Sequence, residues 1–118
     1  MATIRTKFRP SSVEGREGTL YFQIIHGRVA RQINTGYKIF PSEWDEHASE
    51  IILSVSDDAR RSLLLALKER MKKDVRRLES IIAGLERSGG TYPADRVVEF
   101  FHNPPPADSY NFMASERG

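Results

Sequence analysis

The sequence predicts an α+β fold: a small three-stranded antiparallel sheet packed against one long amphipathic helix, with a short second helix. Three observations predict it. Apolar and polar residues alternate with a period of two through Thr3–Arg9 and again from Thr19 to Thr35. Apolar residues then recur at spacings of three and four from Leu64 to Leu85. Ser88-Gly89-Gly90 stops that run, and Pro93 opens a second, shorter one.

Thr3–Arg9 is the first strand. Ile4, Thr6 and Phe8 face one way and Arg5, Lys7 and Arg9 the other, and Pro10 ends it because proline cannot donate to a ladder. A polar loop, Ser11–Gly18, leads to a hairpin. Leu20, Phe22 and Ile24 alternate with Tyr21, Gln23 and Ile25 before a turn signal at His26-Gly27. The alternation resumes over Arg28–Thr35, and a two-residue turn puts Val29 and Ile33 on the side of Leu20, Phe22 and Ile24. Arg31 falls on that apolar side, so it is expected at an edge or beside a partner. Gly36 is expected to break this strand, with Tyr37–Phe40 a separate extended piece and the sheet as a whole spanning 3–40. Pro41–Asp45 reads as a tight turn that sets Trp44 against the core. The acidic stretch 46–58 follows, and Ile51-Ile52-Leu53 within it is expected to add a short strand or pack down.

Three strands with one apolar face need a cover. The helix predicted over Ala59–Arg87 supplies it, through Leu64, Leu67, Met71, Val75, Leu78, Ile82 and Leu85. Ser56 is its expected N-cap, and Asp57-Asp58 place negative charge where the helix dipole favours it. The second helix is predicted over Pro93–Phe101. Asn103 and the three prolines after it read as a stiff linker. The pattern beyond, with Tyr110, Phe112 and Met113, reads as the truncated start of another domain. The expected division is therefore 1–103 and 104–118.

Composition narrows the function. The chain has 118 residues, net charge +2 and no cysteine, which leaves no disulfide framework, thiolate metal site or cysteine nucleophile. No apolar run approaches the roughly 20 residues of a membrane span, and no signal-peptide pattern is present. A reducing, cytoplasmic setting is expected. The small net charge conceals segregation: residues 1–40 hold seven Lys/Arg against two Glu, residues 41–59 hold six acids and no base, and residues 60–87 hold nine bases against four acids. Such blocks make basic surfaces.

No phosphate loop, nucleophile elbow or metal-ligand spacing occurs, so neither metal nor cofactor is expected. Glu43, Asp45, Glu46, His47 and Glu50 are better read as a solvated acidic loop than as a metal cluster. The outer sheet face is the better candidate, with Arg5, Lys7, Arg9, Thr19, Tyr21, Gln23, Arg28, Gln32 and Asn34 projecting from it and Lys38 flanking. Arg and Lys neutralise phosphates, and Arg, Gln and Asn make paired contacts with base edges. On the helix, Lys68, Lys72 and Arg76 form a second basic ridge suited to phosphate, or simply a solvated face. Replacing Arg5 and Arg28 together with alanine is expected to weaken DNA binding at least tenfold.

The stretch KFRPSSVEGREGTLYFQIIHGRVARQINTGYKIFPSEWD, residues 7–45, resembles the N-terminal arm-type DNA-binding region of tyrosine recombinases (the phage-integrase family), of the sort carried by integrases of Bacteroides-type mobile elements. LERSGGTYPADRVVEFF, residues 85–101, continues the resemblance, which covers roughly 4–102. Residues 109–113 look like the first turns of the core-binding domain that normally follows. The resemblance implies a non-catalytic domain for site-specific DNA recombination and integration. It would dock its basic sheet face in the major groove of double-stranded DNA at arm-type sites and be associated with the nucleoid when bound. Other recombinase protomers and accessory DNA-bending proteins are the implied protein partners. Strand exchange would belong to a catalytic domain with arginines, a histidine and a tyrosine nucleophile. None of Tyr21, Tyr37, Tyr92 and Tyr110 matches that nucleophile. The alternative from the residues themselves is an interaction or dimerisation module, in which the sheet edge or the long helix contacts a protein and the basic face only solubilises.

Overall fold

A computed structural model describes residues 1–53 and 57–104. Strands β1 (Thr3–Arg9), β2 (Gly18–His26) and β3 (Val29–Ile39) form an antiparallel sheet in the order β1-β2-β3. A single 3-10 turn, Pro41–Glu43, leads to a two-residue hairpin of β4 (Trp44–Asp45) and β5 (Glu50–Ile51). Helices α1 (Asp58–Arg87) and α2 (Ala94–His102) complete the fold. No described helix is long and apolar enough to cross a membrane.

The inner sheet face contributes Leu20, Phe22, Ile24, Ile33 and Ile39, all fully buried. The α1 stripe meets them with Leu64, Leu67, Met71, Leu78 and Ile82, while Val75 and Leu85 pack at its margins. Trp44 and Ile51 close one side, and Ala94 and Val97 of α2 another. Each fully buried large side chain contributes roughly 1.5–3 kcal/mol. The β4–β5 hairpin places Ile51 in the core, as the apolar triplet suggested.

The hairpin turn is shifted by one residue from its sequence-based position. Its central residues are Gly27 and Arg28, and His26 pairs with Val29. Both have positive φ, 61° and 70°, as a type I′ turn demands. Moving the turn by one moves every cross-strand partner by two, so the face assignments are unchanged: Phe22 still lies opposite an inward residue, Ile33. Val29 sits on that face but at its open end, 38% exposed. Arg28 is strained as a non-glycine residue in the left-handed region. Arg28→Gly is expected to raise stability by about 0.5–1 kcal/mol, read as a higher urea midpoint with an unchanged m-value.

Gly36 does not end β3. Tyr21 pairs with Asn34 and Thr19 with Lys38, so three β3 residues oppose Leu20 alone. This is a bulge, and Gly36 absorbs it at φ 78°. Two side chains restore the bonds it removes. The Thr35 hydroxyl donates to the Leu20 carbonyl at 2.7 Å and accepts from the Tyr37 amide at 3.0 Å. Asn34 Oδ1 accepts from the Gly36 amide at 3.0 Å. The strand therefore continues to Ile39.

Helix α1 is capped by Asp57, whose side chain accepts from the Ala59 amide. Ser56, the expected cap, lies outside the described residues, as do the prolines at 105 and 106 and the rest of the tail. Pro93 is the N-cap of α2 rather than its first residue. Arg31 pairs with Asp95 of α2 at 2.5 Å, which explains a cation on the apolar side of an edge strand.

Candidate nucleic-acid interface

The strands alternate strictly enough that their odd-numbered β1 and β2 residues all point away from the core. Register then aligns them in rows across the sheet. One row is Arg5, Gln23, Gln32; the next is Lys7, Tyr21, Asn34; the third is Arg9, Thr19, Lys38. Each row begins with a β1 cation. Central β2 adds Gln23, Tyr21 and Thr19 to these rows, and β3 adds Gln32 and Asn34. Lys38 supplies a cation at the far margin. None of the three strands contains an Asp or Glu. Among the described residues no carboxylate lies within ion-pairing distance of Arg5, Lys7, Arg9 or Lys38.

Arg9 is held in place. Its guanidinium lies 4.7 Å from the centre of the Tyr21 ring, and one NH2 group donates to Gln32 Oε1 at 2.6 Å. It thus reaches diagonally from β1 across β2 to β3. A cation over an exposed aromatic face gains about 0.5–1 kcal/mol, enough to bias the side chain without burying it. This triad needs the cross-strand register, so spacing along the sequence alone did not reveal it.

One of the sequence-based assignments changes. Arg28 does not project from the face. It lies in the hairpin turn at the sheet's end, because Gly27 and Arg28, rather than His26 and Gly27, take the two positive-φ positions. Lys68, Lys72 and Arg76, read from the sequence as a second ridge on the helix, stand together and apart from this face. With inward-facing Thr6 they line a groove of about 320 Å³ on the inner side of β1. Helix α1 has to lie there to bury its apolar stripe against the sheet. Lys72 is also paired with Glu69 at 3.4 Å.

The acidic loop divides similarly. Glu43 is not solvated: it is 5% exposed and paired with Arg60 Nε at 2.6 Å. That guanidinium, with the Phe40 amide 2.7 Å from Oε1, holds the Glu43 carboxyl below the usual carboxylate range despite its burial. Arg60 also reaches Glu17 at 3.0 Å, tying the β1–β2 loop to α1. Asp45 Oδ1 accepts from the His47 and Ala48 amides at 3.0 Å, an Asx turn that shapes the β4–β5 loop. Glu46, His47 and Glu50 are exposed. Among the described residues no three His, Asp or Glu side chains converge as a metal site. Tyr37 is bonded to Asp74 at 3.0 Å, and burial followed by that bond raises its phenol pKa. It anchors the end of β3 to α1.

Comparison with protein-family models, with curated proteins and with solved structures found no match for this chain.

Proposed function

We propose that this chain is a non-catalytic, double-stranded-DNA-binding module of a tyrosine recombinase, reading an arm-type site with the outer face of its sheet. The observation that carries the reading is the acid-free face itself: a column of β1 cations without carboxylate partners beside a field of Gln, Asn and Tyr side chains. Two inter-strand spacings of about 4.8 Å make the face roughly 10 Å across, against a major groove about 12 Å wide. Arg5 and Lys7 on β1 and Lys38 on β3 stand at the margins, where phosphates line the groove. Gln23 on the central strand and the Arg9 guanidinium, drawn across the face to Tyr21 and Gln32, occupy the part that faces base edges, with Gln32 and Asn34 beside them on β3. The margins supply affinity and orientation, and the middle supplies sequence preference. Helix α1 braces the sheet from behind and leaves its outer face open.

The test is binding of the chain to labelled duplexes tiled across the ends of the element that encodes it, with a scrambled duplex as control, at two salt concentrations. One segment should be preferred, with affinity falling steeply as salt rises, because phosphate contacts release counterions. Arg5→Ala with Lys7→Ala should weaken binding at least tenfold on every duplex and lower the salt slope by about 2. Gln23→Ala with Gln32→Ala should instead narrow the gap between preferred and scrambled duplexes. Arg31→Ala should leave binding unchanged and cost under about 1 kcal/mol of stability, because its exposed pair with Asp95 lies on the other side of the sheet. Equal, weak binding to all duplexes, or unchanged affinity in the Arg5/Lys7 variant, would remove the reading.

A further inference from the structure

β1 is an edge strand: β2 pairs with one side of it and no described strand pairs with the other. Half of its backbone N–H and C=O groups therefore face outward along that edge. Cations flank this edge on both sides. On the outer face stand Arg5, Lys7 and Arg9. On the inner face, across the groove, stand Lys68, Lys72 and Arg76 of α1, with Glu50 the one acid in the lining. The groove's floor is apolar, formed by Trp44, Ile51, Met71 and Val75. In that floor Trp44 is 8% exposed, and its indole Nε1 is a buried donor with no acceptor among the described residues.

We propose that the β1 edge and this groove form a docking site for an extended acidic segment of a partner protein, added as a fourth strand. The edge's own chemistry selects that occupant. A strand laid along β1 would direct alternate side chains to opposite faces. Carboxylates on its outer face would meet Arg5, Lys7 and Arg9. On its inner face the groove takes apolar side chains against Trp44, Met71 and Val75, and acids near Lys68 and Arg76. A second copy of β1 would instead be repelled by the same charges. A nucleic-acid backbone has charge but no apolar side chains for the floor and no amides for the edge. Backbone pairing would give affinity and the two cationic flanks the preference for acid, as in strand addition generally. The site shares Arg5, Lys7 and Arg9 with the DNA reading, on which it does not rest, and its α1 flank, on the opposite side of the sheet, belongs to the groove alone.

Trp44 is the chain's single tryptophan, so its emission reports on the groove directly. The probe is an end-blocked heptapeptide alternating Glu with Val, titrated into the full chain. A saturable change in Trp44 emission is expected. It should be absent with the matching Lys–Val peptide and at least tenfold weaker when alternate peptide amides on the β1-facing side are N-methylated. Lys68→Gln with Arg76→Gln should weaken it at least tenfold while circular dichroism stays unchanged. An equal response to the Lys–Val peptide, or no effect of N-methylation, would overturn the proposal. So would a Trp44 response to duplex DNA without one to the acidic peptide, which would make the groove a phosphate contact. Loss of DNA binding in the Arg5/Lys7 tiling experiment bears on the sheet face and leaves the Lys68/Arg76 comparison intact.

Discussion

Arg60→Met is expected to cost about 3 kcal/mol or more and to lower Tm by roughly 10–20 °C. The reason lies in what it leaves behind. Glu43 is almost wholly buried, and its two carboxylate oxygens take Arg60 Nε at 2.6 Å and an Arg60 NH2 group at 2.7 Å. Removing the guanidinium strands a charge away from water, and breaking a buried pair from one side costs far more than the intact pair contributes. The double variant Glu43→Gln, Arg60→Met should recover most of the loss, because the glutamine carbonyl still accepts from the Phe40 amide and no charge is left. The pH dependence has a definite sign. The folded-state pKa of Glu43 is lowered, first by the Arg60 hydrogen bond. Its contribution is therefore present above the unfolded carboxylate range, about 4.3, and lost as pH falls through the folded value. The penalty of Arg60→Met should be largest near neutrality and shrink in acid, where Glu43 takes up a proton in the variant. Chemical denaturation at several pH values reads both effects, and a loss under 1 kcal/mol at neutral pH would show that the pair behaves as a surface contact.

Gly18→Ala is the second large effect expected, about 2–3 kcal/mol. A Cβ there would stand 2.3 Å from the Arg9 carbonyl oxygen and 2.6 Å from the Phe8 ring. The ring has room to swing only by leaving its stack with Trp44, whose centroid is 6.2 Å away, and the carbonyl is backbone. The end of β1 must therefore move, and Arg9 with it. On the DNA reading, Gly18→Ala should lose sequence preference as well as stability, because Arg9 leaves its place over Tyr21. Gly84→Ala is the matched control: nothing lies within 4 Å of its added Cβ, and α1 should gain about 1 kcal/mol. Thermal melts of the two variants should move in opposite directions, and a Gly18→Ala melt equal to wild type would show that β1 is free to shift without cost.

Which residues face the core and which face water was legible in the sequence, because it depends only on local period. The alternation in β1 and β2 assigned Arg5, Lys7, Arg9, Tyr21 and Gln23 to one face, and that assignment survived a turn displaced by a residue. The α1 stripe was legible for the same reason, as was Gly89, which follows the helix with φ 80°. What the sequence could not settle was anything set by partners distant along the chain. Gly36 alone signals a break. Only the neighbouring β2 strand, with Thr35 and Asn34 bonding across the bulge, carries β3 on to Ile39. Glu43 in an acidic run looks solvated until α1 brings Arg60 to it from 17 residues away. Arg28 looked like a strand residue because a two-residue turn has two registers with the same facing pattern, and pairing along the whole hairpin selects between them. Lys68, Lys72 and Arg76 were rightly placed on one helix face. The direction of that face relative to the sheet followed from how the apolar stripe docks, which is a property of the assembled core.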